Sequence, residues 1–177
     1  MISVVADALV RRMIGLAIDA EGPPPAEFTW IALGSHGRRE PVPSSDVDSG
    51  IAWRDGSGEQ ETPRYMRRIA ETVADSLREL GWRLDPHGVT ASGSFSASSI
   101  EEWRHAIGYW LSKPSDERAL IATSILLDGR VILGPPELDP RRILFELGGG
   151  ETLLEWMLDL ALVHRPPTGF LRNRVVE

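Results

Sequence analysis

Two short motifs in the first third of the chain carry residues that suit phosphate and metal chemistry. Gly34-Ser35 is followed, after ten intervening residues, by Asp46-Val47-Asp48. If the second motif is a strand, its two aspartates point to one face with their α-carbons about 6.5 to 7 Å apart. Their carboxylates can then converge on one or two hard cations such as Mg²⁺, which prefers oxygen ligands and completes its shell with water and phosphates. Paired ions about 3.5 to 4 Å apart would hold the attacking and leaving oxygens of an in-line phosphoryl displacement.

The Gly34-Ser35 turn supplies a matching anion site. Gly34 lets a phosphate approach the backbone, and Ser35 offers both an amide and a hydroxyl. If the next residues begin a helix, the unpaired N–H groups at its start add to this site. One of Arg38 and Arg39 could bind a phosphate in bidentate fashion, while Glu40 pairs with the other arginine.

Each motif alone also has an ordinary structural interpretation. Gly34-Ser35 can be a simple turn, and Asp46 and Asp48 can be solvated residues at the start of a strand. Short motifs often match by chance, so either piece alone favours that interpretation. Their order, and their position between two strand patterns, favour a shared site. His36 lies inside the same loop and is predicted to be a solvated side chain.

Helices and strands must bring these motifs together. Short apolar strands are predicted from Phe28 to Leu33 and from about Val47 to Trp53, each bounded by turn residues. The clearest helix runs from about Thr62 to Leu80, because apolar residues recur there at helical spacing up to Gly81.

Further elements follow from similar patterns. An amphipathic first helix should present the apolar stripe Val5, Leu9, Met13 and Leu16. A helix through Trp103, Ile107 and Leu111 should be capped by Ser98 or Ser99, with Trp103 and Trp110 in the core. The remaining predictions are a strand from Trp82 to Val89, a loop from Thr90 to Ser99, and helices at about Asp116 to Leu127, Asp139 to Leu147 and Glu151 to His164.

The composition limits the classes of function. The chain has 177 residues, of which 42% are hydrophobic, and this is enough to bury a core. Its net charge of −7 argues against non-specific binding to nucleic acid, which relies on clustered Lys and Arg. The absence of cysteine excludes disulfides and thiolate zinc sites and fits a reducing compartment. Neither a secretory signal nor a membrane-spanning stretch is recognisable. We therefore expect a cytoplasmic protein that binds neither nucleic acid nor membranes.

The two motifs resemble those of the nucleotidyltransferase superfamily of the DNA polymerase beta type, in which Gly-Ser precedes Asp-x-Asp by about ten residues. The longer pattern Gly34-Ser35-x-Gly37-Arg38-x-Glu40, followed by Ser45-Asp46-x-Asp48, is similar to PII uridylyltransferase and glutamine synthetase adenylyltransferase. The chain most resembles the nucleotidyltransferase family often found beside CBS or cyclic-nucleotide-binding domains. In that family small polar residues follow the second Asp, as Ser49-Gly50 do here, and further matches lie at Gly88-Val89-Thr90-Ala91-Ser92, Glu102-Trp103 and the run from Leu127 to Gly134.

The resemblance implies an α+β fold of the polymerase-beta-like nucleotidyltransferase type. A small mixed β-sheet would be flanked by helices, with a C-terminal helical extension. Residues 1–135 would form the nucleotidyltransferase domain, including the N-terminal helix, and residues 136–177 would begin a truncated helical region. The chain would then belong to a longer protein that could carry regulatory domains.

The same resemblance implies a reaction. A nucleoside monophosphate would pass from a nucleoside triphosphate to a hydroxyl of a protein or small-molecule acceptor, with Mg²⁺ as cofactor and pyrophosphate released. Asp46 and Asp48 would be the metal ligands and catalytic residues. The residues expected to bind the nucleotide are Gly34, Ser35, Gly37, Arg38 and Ser45.

A third carboxylate should complete such a site, as general base or extra metal ligand. Many members of the superfamily carry it on the strand after the long helix, where this chain has Asp85 followed by Pro86. Asp128 is the other candidate, although its position at a helix end suits an ion pair with Arg130 equally well. The acceptor hydroxyl must lose a proton, so a missing base would leave binding intact and impair catalysis.

Two alternative functions belong to other classes, and the unassigned third acid and the truncated tail motivate the first of them. The domain could be a catalytically weak or inactive nucleotide-sensing module of a larger signalling protein. It could also be a plain dimerisation or interaction domain. Pyrophosphate release separates the transferase from the sensor, and triphosphate binding separates both from the interaction domain.

Overall fold

The computed structural model describes residues 2–56, 60–84, 97–113, 115–148, 154–155, 157–159 and 162. It confirms the predicted α+β class, with a small mixed sheet flanked by helices. In chain order the elements are α1 (Ile2–Glu21), β1 (Phe28–Ala32), α2 (Gly34–Arg38), β2 (Ser49–Trp53), α3 (Glu61–Glu79), β3 (Ala97–Ser99), α4 (Ile100–Leu111), α5 (Glu117–Leu127), β4 (Arg130–Leu133), a 3₁₀ turn (Pro136–Leu138) and α6 (Arg141–Leu147).

The described sheet has the strand order β3-β2-β1-β4. β1 pairs antiparallel with both β2 and β4, whereas β2 and β3 are parallel. The pairing of β1 with β2 ends at Ala32 opposite Ser49. It continues by one hydrogen bond, because the Leu33 amide donates to the Asp48 carbonyl over 3.0 Å. This register brings the end of β1 beside the aspartate motif.

Alternating side chains of β1 enter two separate hydrophobic clusters. Trp30 lies in a cluster with residues of α1 and α3, including Ile14 and Met66. Ile31 lies in the other cluster, with α4, α5 and α6, where it joins Trp103. Burying each such side chain contributes about 1.5 to 3 kcal/mol, so the central strand is held firmly from both faces. The strand from which the Gly34-Ser35 motif emerges is therefore well fixed.

Most of the predicted helices are present. Ser99 caps α4 and forms a capping box with Glu102, as the sequence predicts, and Asp116 caps α5. Trp103 and Trp110 are buried, which confirms them as core residues. The Thr62 to Leu80 prediction corresponds to α3, and α6 begins two residues later than predicted. Within the predicted Glu151 to His164 helix, residues 154–155, 157–159 and 162 are helical.

Three expectations about the secondary structure were wrong, and one strand was missed. The buried face of α1 contains Val10 and Ile14, whereas Val5 and Leu16 are exposed. Residues 82–84 do not form a strand, and the rest of the predicted strand at 85–89 lies outside the described residues. The predicted loop ends in β3, which pairs with β2, and the sequence pattern did not predict β4 at all.

None of the described helices combines the length and apolar character needed to cross a bilayer.

Candidate active site

Gly34 begins a helix of five residues, α2, directly after the central strand. Leu33, the residue before it, is extended and provides no side-chain cap. The first hydrogen bond of the helix joins the Gly37 amide to the Leu33 carbonyl over 2.9 Å. The amides ahead of Gly37 have no acceptor within a helix, and this is the geometry that attracts anions. The structure thus meets the condition that a helix should start at the Gly-Ser motif.

Asp48 lies directly against Gly34. A Cβ placed on Gly34 would be 2.7 Å from Asp48 Oδ2, and Gly34 also has a φ of +52°. Both the close approach and the left-handed backbone favour glycine at this position. The structure therefore brings the phosphate-binding and metal-binding candidates into contact, although they belong to separate motifs.

Backbone hydrogen bonds on both sides hold the aspartate motif. The Val47 amide donates to the Arg83 carbonyl over 2.9 Å, and the Asp48 carbonyl accepts from Leu33. The Val47 side chain is buried among core residues. β2 begins at Ser49, so the aspartate motif lies just before the strand and not within it, and the shared face of Asp46 and Asp48 stays a prediction.

Asp46 has an oxygen suited to a cation. Its Oδ1 atom is buried and has no hydrogen-bond partner among the described residues. Arg83 Nε lies 3.3 Å from this oxygen, which makes an ion pair, but the contact lacks the geometry of a hydrogen bond. An unsatisfied buried carboxylate oxygen costs free energy, and a bound cation would compensate that cost.

Two carboxylates from the protein are sufficient for magnesium. Mg²⁺ commonly takes one or two protein carboxylates and obtains its other ligands from water and substrate phosphates. Among the described residues, no group of three or more His, Asp and Glu side chains has the spacing of a metal site. Asp46 and Asp48 therefore fit an ion that shares its coordination shell with a phosphate. Asp85 lies outside the described residues.

Asp128 forms an ion pair with a different arginine from the one expected. Its carboxylate accepts a hydrogen bond from Arg38, whereas the sequence interpretation paired it with Arg130. Glu40 also binds Arg38, over 3.2 Å, and the contact of Arg38 with a phosphate stays a prediction. The hydrogen bond to Glu40 is the main reason why the pKa of Arg38 is raised, and the nearby Asp128 charge adds to it.

Arg130 forms an anchor that the sequence analysis missed. Its guanidinium binds Asp7 of α1 in bidentate fashion, with distances of 2.8 and 3.0 Å. It also donates to the carbonyls of His36 and Gly37, over 3.1 and 3.3 Å. Asp7 is only 7% exposed, so this pair is largely removed from solvent. Arg130 therefore fixes α2 to α1 and β4, and the polar Asp7 within the buried face of α1 was the signal that could have revealed it.

His36 is buried, contrary to the expectation of a solvated side chain. It is 2% exposed, and neither ring nitrogen has a hydrogen-bond partner among the described residues. Its ring centroid lies 6.1 Å from that of Trp82. Burial lowers the pKa of His36, Asp7 opposes this shift and Arg130 adds to it. His36 is thus the residue of α2 whose side chain is buried in the interior, and its lowered pKa favours the neutral form.

Gly37 and Ser45 have clear structural partners. Gly37 is buried, and a Cβ there would overlap the Asp128 carbonyl. Ser45 closes a turn, because its Oγ accepts from the Val42 amide over 3.0 Å and its own amide donates to the Val42 carbonyl. Both residues shape the segments that carry Gly34 and Asp46, and their direct contact with a nucleotide stays a prediction.

A cavity of about 230 Å³ lies away from these residues. It is at the far end of β2, beside Trp53 and Asp55. The polar groups around it serve the start of α4: Asp55 accepts from the Glu101 amide, and Ser99 and Glu102 form the capping box. We attribute these groups to helix capping, and place the candidate site at the Ser49 end of the strand.

Comparison with known protein families agrees with this arrangement. The family model described as "Putative nucleotidyltransferase DUF294" matches residues 1–117, which is well over half of the 177-residue chain. The matched segment contains α1, both motifs and α3. No curated protein matches the chain significantly. Because this model matches more than half of the chain, and the Gly-Ser and Asp-x-Asp motifs meet at the ends of the central strands β1 and β2, the chain belongs to the DUF294 nucleotidyltransferase family.

Proposed function

We propose that this domain is a magnesium-dependent nucleotidyltransferase. It would transfer a nucleoside monophosphate from a nucleoside triphosphate to a hydroxyl of a protein or small-molecule acceptor. The observation that carries the proposal is the contact between Asp48 and Gly34, which joins a carboxylate to the start of α2. A metal held by that carboxylate would lie beside the backbone that receives the phosphates.

Each of the site residues has a distinct proposed task. Asp46 and Asp48 would hold Mg²⁺, which when bound supplies charge neutralisation at the phosphates during displacement. The lack of a hydrogen-bond partner for the buried Asp46 Oδ1, among the described residues, supports this assignment. Gly34 and Ser35 would receive the phosphate oxygens with their amides, and the Ser35 hydroxyl would add a donor. Together they would position the donor for in-line attack.

The proton acceptor for the incoming hydroxyl is a separate question. Asp128 is bound to Arg38, so it can serve as a base or a metal ligand only after breaking that ion pair. We propose that Asp128 mainly orients Arg38 at the C-terminal end of α2. Asp85 is the alternative third carboxylate on the basis of the family resemblance.

The decisive experiment uses the double variant Asp46→Asn/Asp48→Asn. Both substitutions keep the side-chain shape and remove the two negative charges. We expect the variant to lose binding of Mn²⁺ and of Mg²⁺-triphosphate in titration calorimetry while its thermal unfolding stays cooperative. The matched control is Asp19→Asn/Asp75→Asn, which removes the same charge from exposed positions on α1 and α3. Equal metal binding in both double variants would overturn the proposal.

A second candidate function is a nucleotide-sensing module without turnover. It is favoured by one observation, namely that no group of three or more His, Cys, Asp and Glu side chains among the described residues has the spacing of a metal site. The two functions differ in pyrophosphate release, measured with wild-type protein, Mg²⁺ and a panel of triphosphates and acceptors. Release that depends on Asp46 and Asp48 supports the transferase. Tight triphosphate binding without release supports the sensor.

A further inference from the structure

Arg83 lies at the candidate metal site and was not assigned any role by its sequence pattern. Its Nε atom is 3.3 Å from Asp46 Oδ1. Its carbonyl accepts a hydrogen bond from the Val47 amide, between the two aspartates. The backbone of Arg83 is therefore fixed beside the aspartate motif. Its side chain is 67% exposed, which leaves the guanidinium free to change its orientation.

Two other arginines near α2 have partners that a metal at Asp46 would not remove. Arg38 is bound by Glu40 and Asp128. Arg130 is bound by Asp7 and by two backbone carbonyls. Arg83 differs from both, because its carboxylate partner is the oxygen proposed as a metal ligand. A cation at Asp46 would compete directly with Arg83.

We propose that Arg83 is a triphosphate-binding residue that neutralises Asp46 before the metal binds and transfers to the phosphates afterwards. This inference rests on the proposed function, because it requires a metal at Asp46 and Asp48. It adds Arg83 to the site. It also predicts that removal of the Arg83 charge strengthens metal binding and weakens triphosphate binding.

The energetics favour such an exchange. The pair of Arg83 and Asp46 is partly exposed, and ion pairs of this kind are weak in water, so a divalent cation can displace it at little cost. A Mg²⁺ ion held by Asp46 would share its coordination shell with phosphate oxygens. Those oxygens would lie near Asp46, whose Oδ1 atom the Arg83 guanidinium already contacts. Arginine suits this task because its planar donors can bind phosphate in bidentate fashion.

The test compares wild-type protein with Arg83→Gln in two titrations. In the first, Mn²⁺ is added without nucleotide, and the variant should bind it about twofold to fivefold more tightly because the competing charge is gone. In the second, inorganic tripolyphosphate is added at saturating Mg²⁺, and the variant should bind it about tenfold more weakly because a charge-assisted contact is lost. Arg83→Lys keeps the charge and should give intermediate values in both titrations.

The matched control is Arg78→Gln. Arg78 is an exposed arginine at the end of α3 with a carboxylate partner, Asp75, that belongs to no site. We expect this variant to behave as wild type in both titrations. If Arg83→Gln leaves Mn²⁺ affinity unchanged or lowers it, while wild type binds Mn²⁺, the inference about Arg83 is overturned and the proposed function stands. If wild type binds no Mn²⁺ at all, both are overturned.

Discussion

Asp48 Oδ2 occupies the space that a side chain on Gly34 would need. A Cβ on Gly34 would lie 2.7 Å from that oxygen. Gly34 thus borders the metal-ligand candidate directly, and the two motifs form one candidate site. A substitution at Gly34 should therefore change the affinity for a metal ion bound by Asp48.

The first prediction concerns Gly34→Ala. The added methyl group should displace the Asp48 carboxylate and weaken Mn²⁺ binding by about tenfold, as is usual when a group that positions a ligand is changed. The left-handed backbone should cost a further 1 kcal/mol or so of folding free energy. Titration calorimetry and urea denaturation measure the two effects.

Gly22→Ala is the control for the backbone cost. Gly22 also has a positive φ, +90°, but a Cβ there would contact nothing within 4 Å. It should lose a similar free energy of unfolding and keep its affinity for Mn²⁺. If both alanine variants bind Mn²⁺ equally well, the contact between Gly34 and Asp48 has no role in the site.

The second prediction concerns Asp128→Asn. The ion pair with Arg38 is partly exposed, so its loss should cost about 0.2 to 1 kcal/mol of stability. Mn²⁺ affinity should not change, because Asp128 is bound to Arg38 and Glu40 still holds that arginine. Glu40→Gln serves as the parallel variant. A large drop in Mn²⁺ affinity in Asp128→Asn alone would instead identify Asp128 as the third metal ligand.

The third prediction concerns the pair formed by Asp7 and Arg130. Arg130→Met should lower the free energy of unfolding by about 3 kcal/mol, because it leaves the buried Asp7 charge without its partner. Asp7→Leu/Arg130→Met should regain much of that loss, since both charges are removed together. Urea denaturation of the three proteins measures these differences.

The same variants also test whether Arg130 positions α2. The double variant lacks the hydrogen bonds to the carbonyls of His36 and Gly37, even where its stability is restored. We therefore expect weaker binding of Mg²⁺-tripolyphosphate than in wild type. Wild-type affinity in the stable double variant would restrict Arg130 to a role in folding.

The fourth prediction concerns the pH dependence of stability through His36. Its pKa is lowered from 6.5, chiefly by burial, so the unfolded chain takes up a proton at a higher pH than the folded protein does. The contribution of neutral His36 is thus fully present above pH 6.5 and is lost as the pH falls towards its folded pKa, by up to about 1.4 kcal/mol per pH unit. Asp7 raises the pKa of His36 and Arg130 lowers it. Asp48 also faces His36, because both residues line one small cavity together with Asp7.

Metal-free urea denaturation at several pH values below neutrality measures this loss. His36→Gln should remove that part of the pH dependence which belongs to His36. His105→Gln is the control, because His105 is exposed on α4. Identical pH profiles for wild type and His36→Gln would show that His36 does not contribute.

Local patterns predicted the elements whose signals are complete within a short segment. The long helix α3 has an uninterrupted apolar stripe, and α4 begins with a capping box that its own sequence specifies. The contact between Gly34 and Asp48 follows from two adjacent strands and their register. These features require information from nearby residues only.

Pairing between distant segments explains most of the differences between the predicted and the observed structure. β4 has four residues and is stabilised by β1, about a hundred positions earlier in the chain, so its own sequence gives little indication of a strand. Ala97–Ser99 is small and polar, and it becomes β3 because it pairs with β2. Asp128 binds Arg38 across the fold in place of its sequence neighbour Arg130. The burial of His36 likewise depends on Trp82, which lies far along the chain from the Gly34-Ser35 motif. The motif by itself therefore does not reveal that burial.

The central position of β1 sets a practical limit on how the protein can be shortened. The family match ends at residue 117, yet one edge of β1 is covered by β4, which spans Arg130–Leu133. A recombinant fragment cut at residue 117 would keep both motifs but expose the backbone of an apolar strand. Open strand edges of this kind recruit other chains and promote aggregation. An expression boundary for a soluble domain should therefore lie beyond Leu133, even though both motifs end far earlier.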